Sequence, residues 1–277
     1  MTTPQAPSAT VGDVVDAVHR RYDPSTAATW DAVGLACGDP GQPVRRVLLA
    51  VDAVAATVDE ALEWGADLLL THHPLLFRPV TSVAATTPAG SLVHRLVRGG
   101  CALLSAHTNA DVARPGVSDA LAEALGVRDG APVLPSAWDP SAGLGRVGEL
   151  PEPLPLGRFA EVVRDALPRT AHGVRVAGDP ERPVRRVAVL SGSGGDDLAA
   201  ASRVGADVIV TSDLKHHVAL DHLATGGPAL VDVAHFASEW PWLPVAADRL
   251  VADLAARGLA VETRVSTIVT DPWTARL

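Results

Sequence analysis

Apolar positions along this chain alternate between two rhythms, one of helical spacing and one of short unbroken runs. That alternation predicts an α/β protein. Val11 to Tyr22 carries Val14, Val15 and Val18 on one helical face. Val44 to Val51 reads as a strand with Asp52 at its end, and Thr57 to Trp64 as an amphipathic helix. Gly65 to Thr71 reads as a buried strand, Leu92 to Val97 as a helix, and Cys101 to Ser105 as a strand. Ser118 to Leu125 predicts another helix, with Gly126 as its C-cap. Val127 to Pro155 is rich in Pro, Gly and Asp and reads as a junction. A helix from Leu156 to Leu167 and a short strand from Val174 to Val176 follow it. The first residues, to about position 9, are rich in Thr, Pro, Ala and Ser and are expected to be loose.

The pattern then returns. Pro183-Val184-Arg185-Arg186-Val187 repeats Pro43-Val44-Arg45-Arg46-Val47, and Gly205 to Thr211 repeats Gly65 to Thr71 at the same offset of 140 residues. One offset at two places predicts an internal duplication of a strand–helix–strand unit. Two copies are too few for a solenoid. They predict two pseudo-symmetric α/β lobes, residues 10–127 and 156–277, joined by 128–155. A cleft between the lobes at their strand ends is where open α/β sheets bind ligands.

The candidate chemistry lies at those ends. Leu68-Leu69-Leu70-Thr71 runs into His72-His73-Pro74, where the proline stops the strand and leaves both imidazoles at its carboxyl end. Ala106-His107 followed by Asp111 lines up with Ala234-His235 followed by Glu239, now at an offset of 128. His72, His73, His107, Asp111, His235 and Glu239 form a mixed imidazole and carboxylate set. Such a set suits zinc, iron, manganese, nickel or cobalt without any thiolate. Five or six such groups exceed one tetrahedral site, which favours two divalent metal ions with open positions. His107 can equally orient a ligand from behind.

Composition narrows the class. Among 277 residues, 23 are basic and 32 acidic, for a formal net charge of −9. That balance argues against a broad nucleic-acid surface, though not against a small anionic substrate beside bound metal. Cys37 and Cys101 form no disulfide framework. No apolar run reaches membrane-spanning length, and no signal-peptide pattern is present. A soluble, cytoplasmic setting is the expectation. In Ser191-Gly192-Ser193-Gly194-Gly195-Asp196, Ser193 and Gly194 are candidates for contact with a phosphate, and a tight turn explains the loop equally well. Asp213 and His216 are candidates for cleft or supporting roles, with an N-cap role open for Asp213. Asp52 either faces the cleft or is buried against backbone. Trp273 reads as a packing anchor.

Together, Trp30-Asp31-Ala32-Val33-Gly34, Thr71 to Phe77, Ser105 to Asp111, Gly143 to Leu150 and His235 to Glu239 resemble the NIF-three-like family. Its members are also called GTP cyclohydrolase I type 2 homologues or dinuclear-metal-centre hexameric proteins. The resemblance covers almost the whole chain. It implies a two-lobed α/β fold, a homohexameric ring and a paired metal site held by His72, His73, Asp111, His235 and Glu239, with His107 adjacent. It makes Asp213 and His216 supporting candidates. It suggests a purine nucleotide substrate, with GTP ring opening as the named activity. A phosphoesterase would use the same ligands, and a non-enzymatic ring that binds metal and partner proteins is the other class. The junction is too short for the extra domain some members carry. Ala32 and Ala234 replace the family's more usual Asn and Gly without removing a ligand.

Overall fold

The strand Leu68–Thr71 is buried along its whole length because sheet neighbours flank it on both sides and helices cover it. In the computed structural model, which describes residues 8–277, it is the centre of a five-stranded sheet. The order is Glu262–Val265, Arg46–Ala50, Leu68–Thr71, Ala102–Ser105, Gly34–Cys37. The first four strands are parallel, and only Gly34–Cys37 runs against its neighbour. Leu48, Ala50, Leu69 and Leu103 form one apolar surface with Val58 and Ala61 of the helix Ala55–Trp64 and Leu92 and Leu96 of the helix Pro88–Arg98. The latter helix begins four residues before the predicted start. Thr87 caps it by accepting from Gly90 N, and Pro88 occupies the first turn, where its missing N–H costs nothing.

A second sheet has six strands in the order Arg175–Ala177, Ala229–Val233, Val208–Ser212, Pro183–Ser193, Arg146–Pro155, Arg128–Ala131. Its central three pair in parallel from Ala229–Val233 to Pro183–Ser193. Contacts divide the described chain into two compact units, residues 8–110 with Leu243–Thr270, and Asp111–Trp242 with Asp271–Leu277.

The two units repeat one local construction. Val47 pairs with Leu68 in the first sheet, and Val187 pairs with Val208 in the second. Asp67 Oδ2 accepts from the N–H groups of Arg45 and Arg46 at 2.7 and 2.9 Å. Asp207 Oδ2 accepts from Arg185 and Arg186 at 2.9 and 2.8 Å. Gly65 and Gly205 end the preceding helical segments at φ +70° and +73°, a conformation L side chains rarely adopt.

Three expectations change. The stretch 128–155 is not a linker: it contains two strands of the second sheet. Arg146 explains why so glycine-rich a segment folds. Its buried guanidinium spends its donors on Asp119 and on the carbonyls of Ala113, Gly143 and Gly145. Second, 156–277 is not one lobe, since Glu262–Val265 pairs with Arg46–Ala50 in the first sheet. Third, Ala9–Thr10 is a short strand paired with Pro43–Val44. The rest of the loose-start expectation, residues 1–7, lies outside the described residues. Among the described residues no helix is long and apolar enough to cross a membrane.

Candidate metal centre

Parallel pairing in register aligns carboxyl ends. Ala50 pairs with Thr71, and Thr71 with Ser105. The residues that follow, Asp52, His72, His73 and His107, therefore emerge at one edge of the first sheet. Ring centroids lie 5.0 Å apart for His72 and His73, 5.1 Å for His72 and His107, and 5.3 Å for His73 and His107. One ligand nitrogen from each of the three lies within 4.8 Å of the others.

What backs each ring decides which nitrogen faces the cluster. His72 Nδ1 is 2.9 Å from the carbonyl oxygen of Ala106. His73 Nδ1 is 2.7 Å from Asp52 Oδ1, and His107 Nδ1 is 2.9 Å from Asp31 Oδ1. Carbonyl and carboxylate oxygens only accept, so Nδ1 carries the hydrogen in each bond. In the neutral ring Nε2 then holds the lone pair a cation needs. Oxygen-backed imidazoles of this kind are the usual support of metal-ligating histidine.

Asp31 is itself anchored. Its Oδ2 accepts from Thr108 N at 3.0 Å and Thr108 Oγ1 at 2.5 Å. Burial raises its carboxyl, but the bonds from Thr108 and His107 outweigh that and leave it below its ordinary value. Asp52 also accepts from Thr270 Oγ1. His107 is pushed down to about 4, by burial first and then by neighbouring His72, so it stays neutral near pH 7. Asp111 rides on the short helix Thr108–Val112 that follows His107.

In the second unit, His235 opens the helix His235–Glu239, one turn before Glu239. His235 Nε2 is 2.9 Å from Glu239 Oε1, and its Nδ1 is 2.6 Å from Asp213 Oδ2. Asp213 is held low, first by that bond from His235. Its φ of +58°, rare outside glycine but tolerated by Asp, turns the carboxylate towards the ring. Asp213 thus supports His235 and caps no helix: the following helix, His216–Ala224, has Lys215 at its N-cap position.

Three candidates fall elsewhere. His216 stacks edge-on against His217 and lines a cavity of about 360 Å³ with Arg175, Leu214 and Asp232. Gly194 N donates to Thr211 Oγ1 at 2.9 Å, so that N–H is engaged within the fold rather than offered to a phosphate. Ser193 is exposed at the end of its strand.

The glycine that matters here is Gly192. At φ +65°, a Cβ on it would lie 2.6 Å from Glu239 Oε1 and 3.3 Å from His235 Nε2. Its own N–H donates to Ser238 Oγ at 2.9 Å. Sequence reasoning also misses Asp31 and Asp271. For Asp31 the Trp30-Asp31 motif is a usable signal. Asp271 has none: its buried Oδ2 has no hydrogen-bond partner among the described residues, and burial pushes the carboxyl up. The thiols take no part. Cys101 is buried and pushed up to about 12, and both cysteines are unbridged.

Parallel sheets whose strand ends carry grouped, oxygen-backed imidazoles define an α/β protein with residues that could hold a metal ion. The chain belongs to the Duf34/NIF3 (NGG1p interacting factor 3) family, which it matches over residues 9–272. It is 47% identical over 269 residues to a GTP cyclohydrolase 1 type 2 homolog of Streptomyces coelicolor, covering 96% of this chain and 94% of that one. It is 37% identical to the Mycobacterium tuberculosis protein of the same description, covering 96% and 97% of the two chains. That alignment spans 372 residues, so the relative contains segments this shorter chain lacks. The fold is similar to that of a Bacillus cereus protein related to NIF3, at 26% identity and TM-score 0.89, covering 97% and 99%. It is likewise similar to a hypothetical protein of Staphylococcus aureus, at 29% identity and TM-score 0.88, covering 96% and 99%.

Proposed function

We propose that this protein is a metal-dependent hydrolase whose ligands His72, His73, Asp111, His235 and Glu239 hold two divalent ions in one centre, with His107 beside them. The observation that carries the reading is the common orientation of His72, His73 and His107, each bound through Nδ1 to an oxygen acceptor. The donor set is imidazole nitrogen and carboxylate oxygen, which fits zinc, iron, manganese, nickel or cobalt. When bound, a pair of such ions supplies Lewis acidity and a water of lowered pKa.

The chain's own residues do the rest. Asp52, Asp31 and Asp213 fix the rings of His73, His107 and His235 through Nδ1. Gly192 leaves room for the carboxylate of Glu239. A small anionic substrate fits a cationic centre on a chain that is acidic overall. The description of the relatives as GTP cyclohydrolase 1 type 2 homologs makes a purine nucleotide the first substrate class to test. A homohexamer in the cytoplasm completes the proposal, and light scattering checks the assembly.

The test is elemental analysis of the purified protein, followed by turnover assays on nucleotides and phosphoesters with each metal. Two equivalents of metal and turnover that vanishes in both His235→Ala and Glu239→Ala support the reading. A folded, metal-loaded protein that turns over none of these substrates points to a binding scaffold instead.

A further inference from the structure

Trp30 and Phe77 are 59% and 42% exposed, yet their rings meet, with centroids 5.5 Å apart and planes at 51°. Both also stand against His107, at 6.0 and 6.2 Å between centroids. Burying a large apolar side chain stabilises a fold by roughly 1.5–3 kcal/mol. Two such rings left in water beside a candidate ligand are therefore informative. Trp30 is not on a wandering loop. The next residue, Asp31, is tied by His107 and by the N–H and hydroxyl of Thr108. Phe77 follows the His72-His73-Pro74 turn by three residues. Each ring is thus held beside a histidine-bearing strand end, Phe77 along the chain and Trp30 through the Asp31–His107 bond.

We propose that Trp30 and Phe77 are specificity residues, a platform on which the planar heteroaromatic ring of the substrate, a purine base, stacks next to His107. This rests on the hydrolase reading above. Two rings inclined at 51° cannot both lie parallel to a third. One receives the base face to face and the other meets its edge, and both arrangements are favourable between π systems. Every base presents a π face, so the platform selects for a ring and not for a particular hydrogen-bond pattern. Exposed Val80 and Val83 in the same loop leave a contact between copies of the chain as the competing occupant, which the experiment must separate.

The experiment measures Kd for GTP, ATP and inorganic tripolyphosphate on the metal-loaded protein, with metal content and light scattering read on the same samples. Trp30→Ala and Phe77→Ala are compared with wild type and with Trp30→Phe. Each truncation should weaken both nucleotides about tenfold or more, on the scale of base–aromatic stacking. Tripolyphosphate affinity and metal content should not change, and Trp30→Phe should recover most of the loss. Equal weakening of tripolyphosphate overturns the proposal. So does unchanged nucleotide affinity, or a wild type that binds tripolyphosphate as tightly as GTP. A smaller assembly with nucleotide affinity intact assigns the rings to a contact between copies and also overturns it. Absence of metal from the wild type defeats the hydrolase reading, whereas the platform is judged on base against no base.

Discussion

The two units build the same strand–helix–strand frame and finish it differently. In the first, the central strand ends in His72-His73-Pro74; in the second, the positions 140 residues on are Ser212, Asp213 and Leu214. In the first, a carboxylate at the end of the preceding strand, Asp52, holds His73. By the same offset the second unit has Gly192 there, and Asp213 supplies a carboxylate to His235 from the central strand. His107 and His235 close the third strand of each frame, supported by Asp31 and Asp213. The comparison separates two layers of information. Backbone pairing and the aspartate that clamps two consecutive N–H groups are kept. The residues just past the strand ends are where the units differ, with imidazoles in the first where the second has a hydroxyl and a carboxylate.

Four measurements break or sharpen that comparison, beginning with the largest effect. If Asp52 and Asp213 serve equivalent roles, Asp52→Asn and Asp213→Asn should each weaken metal binding about tenfold to a hundredfold, as loss of an outer partner does. Titration calorimetry with Zn²⁺ reads this, and an effect confined to one variant would mean only one unit needs its support. Next, Asp67→Ala and Asp207→Ala remove matching clamps, and each should cost about 2 kcal/mol in urea melts by removing two hydrogen bonds to a carboxylate. A large difference between them would show that the shared frame is not equally stressed.

Third, Gly192→Ala introduces strain of about 1 kcal/mol at positive φ. It also displaces Glu239, so metal affinity should fall with little further loss of stability. Wild-type affinity in that variant would remove Gly192 from the site. The smallest effect is on pH. His107 is held neutral when folded, pushed down to about 4 by burial, whereas unfolded histidine titrates near 6.5. Between these values the unfolded chain binds more protons, so the metal-free protein loses stability as pH falls through that window. The loss is on the order of 1 kcal/mol by pH 5.5. Urea melts from pH 7 to 4.5 should show a shallower slope for His107→Gln than for wild type.

Much of this was readable in one dimension. An apolar run of strand length, a proline and a repeated register announced the first sheet's centre and its counterpart in the second unit, because backbone hydrogen bonding and burial act over a few residues. His72, His73 and His235 are legible as candidates for the same reason, as polar groups after apolar runs, and Glu239 through the repeat of Ala106-His107 followed by Asp111. The reading of 128–155 as a junction failed at Arg146. Its composition is that of a loop, and Asp119 and the carbonyl of Ala113, 27 and 33 residues away, help turn it into a buried strand start. The role of Gly192 is not legible in the sequence because a glycine-rich loop does not say which of its residues the fold will bring against the site.

Local pattern, then, determined the α/β class, the repeated unit and the residue types at the strand ends. Tertiary structure decided which oxygen backs each imidazole, that His216 leaves the group, and which residues belong to which unit. The reason is range. Periodicity and turn chemistry are settled between neighbours in sequence, whereas a partnership such as Asp31 with His107 spans 76 residues and exists only once the sheet has brought its strand ends together.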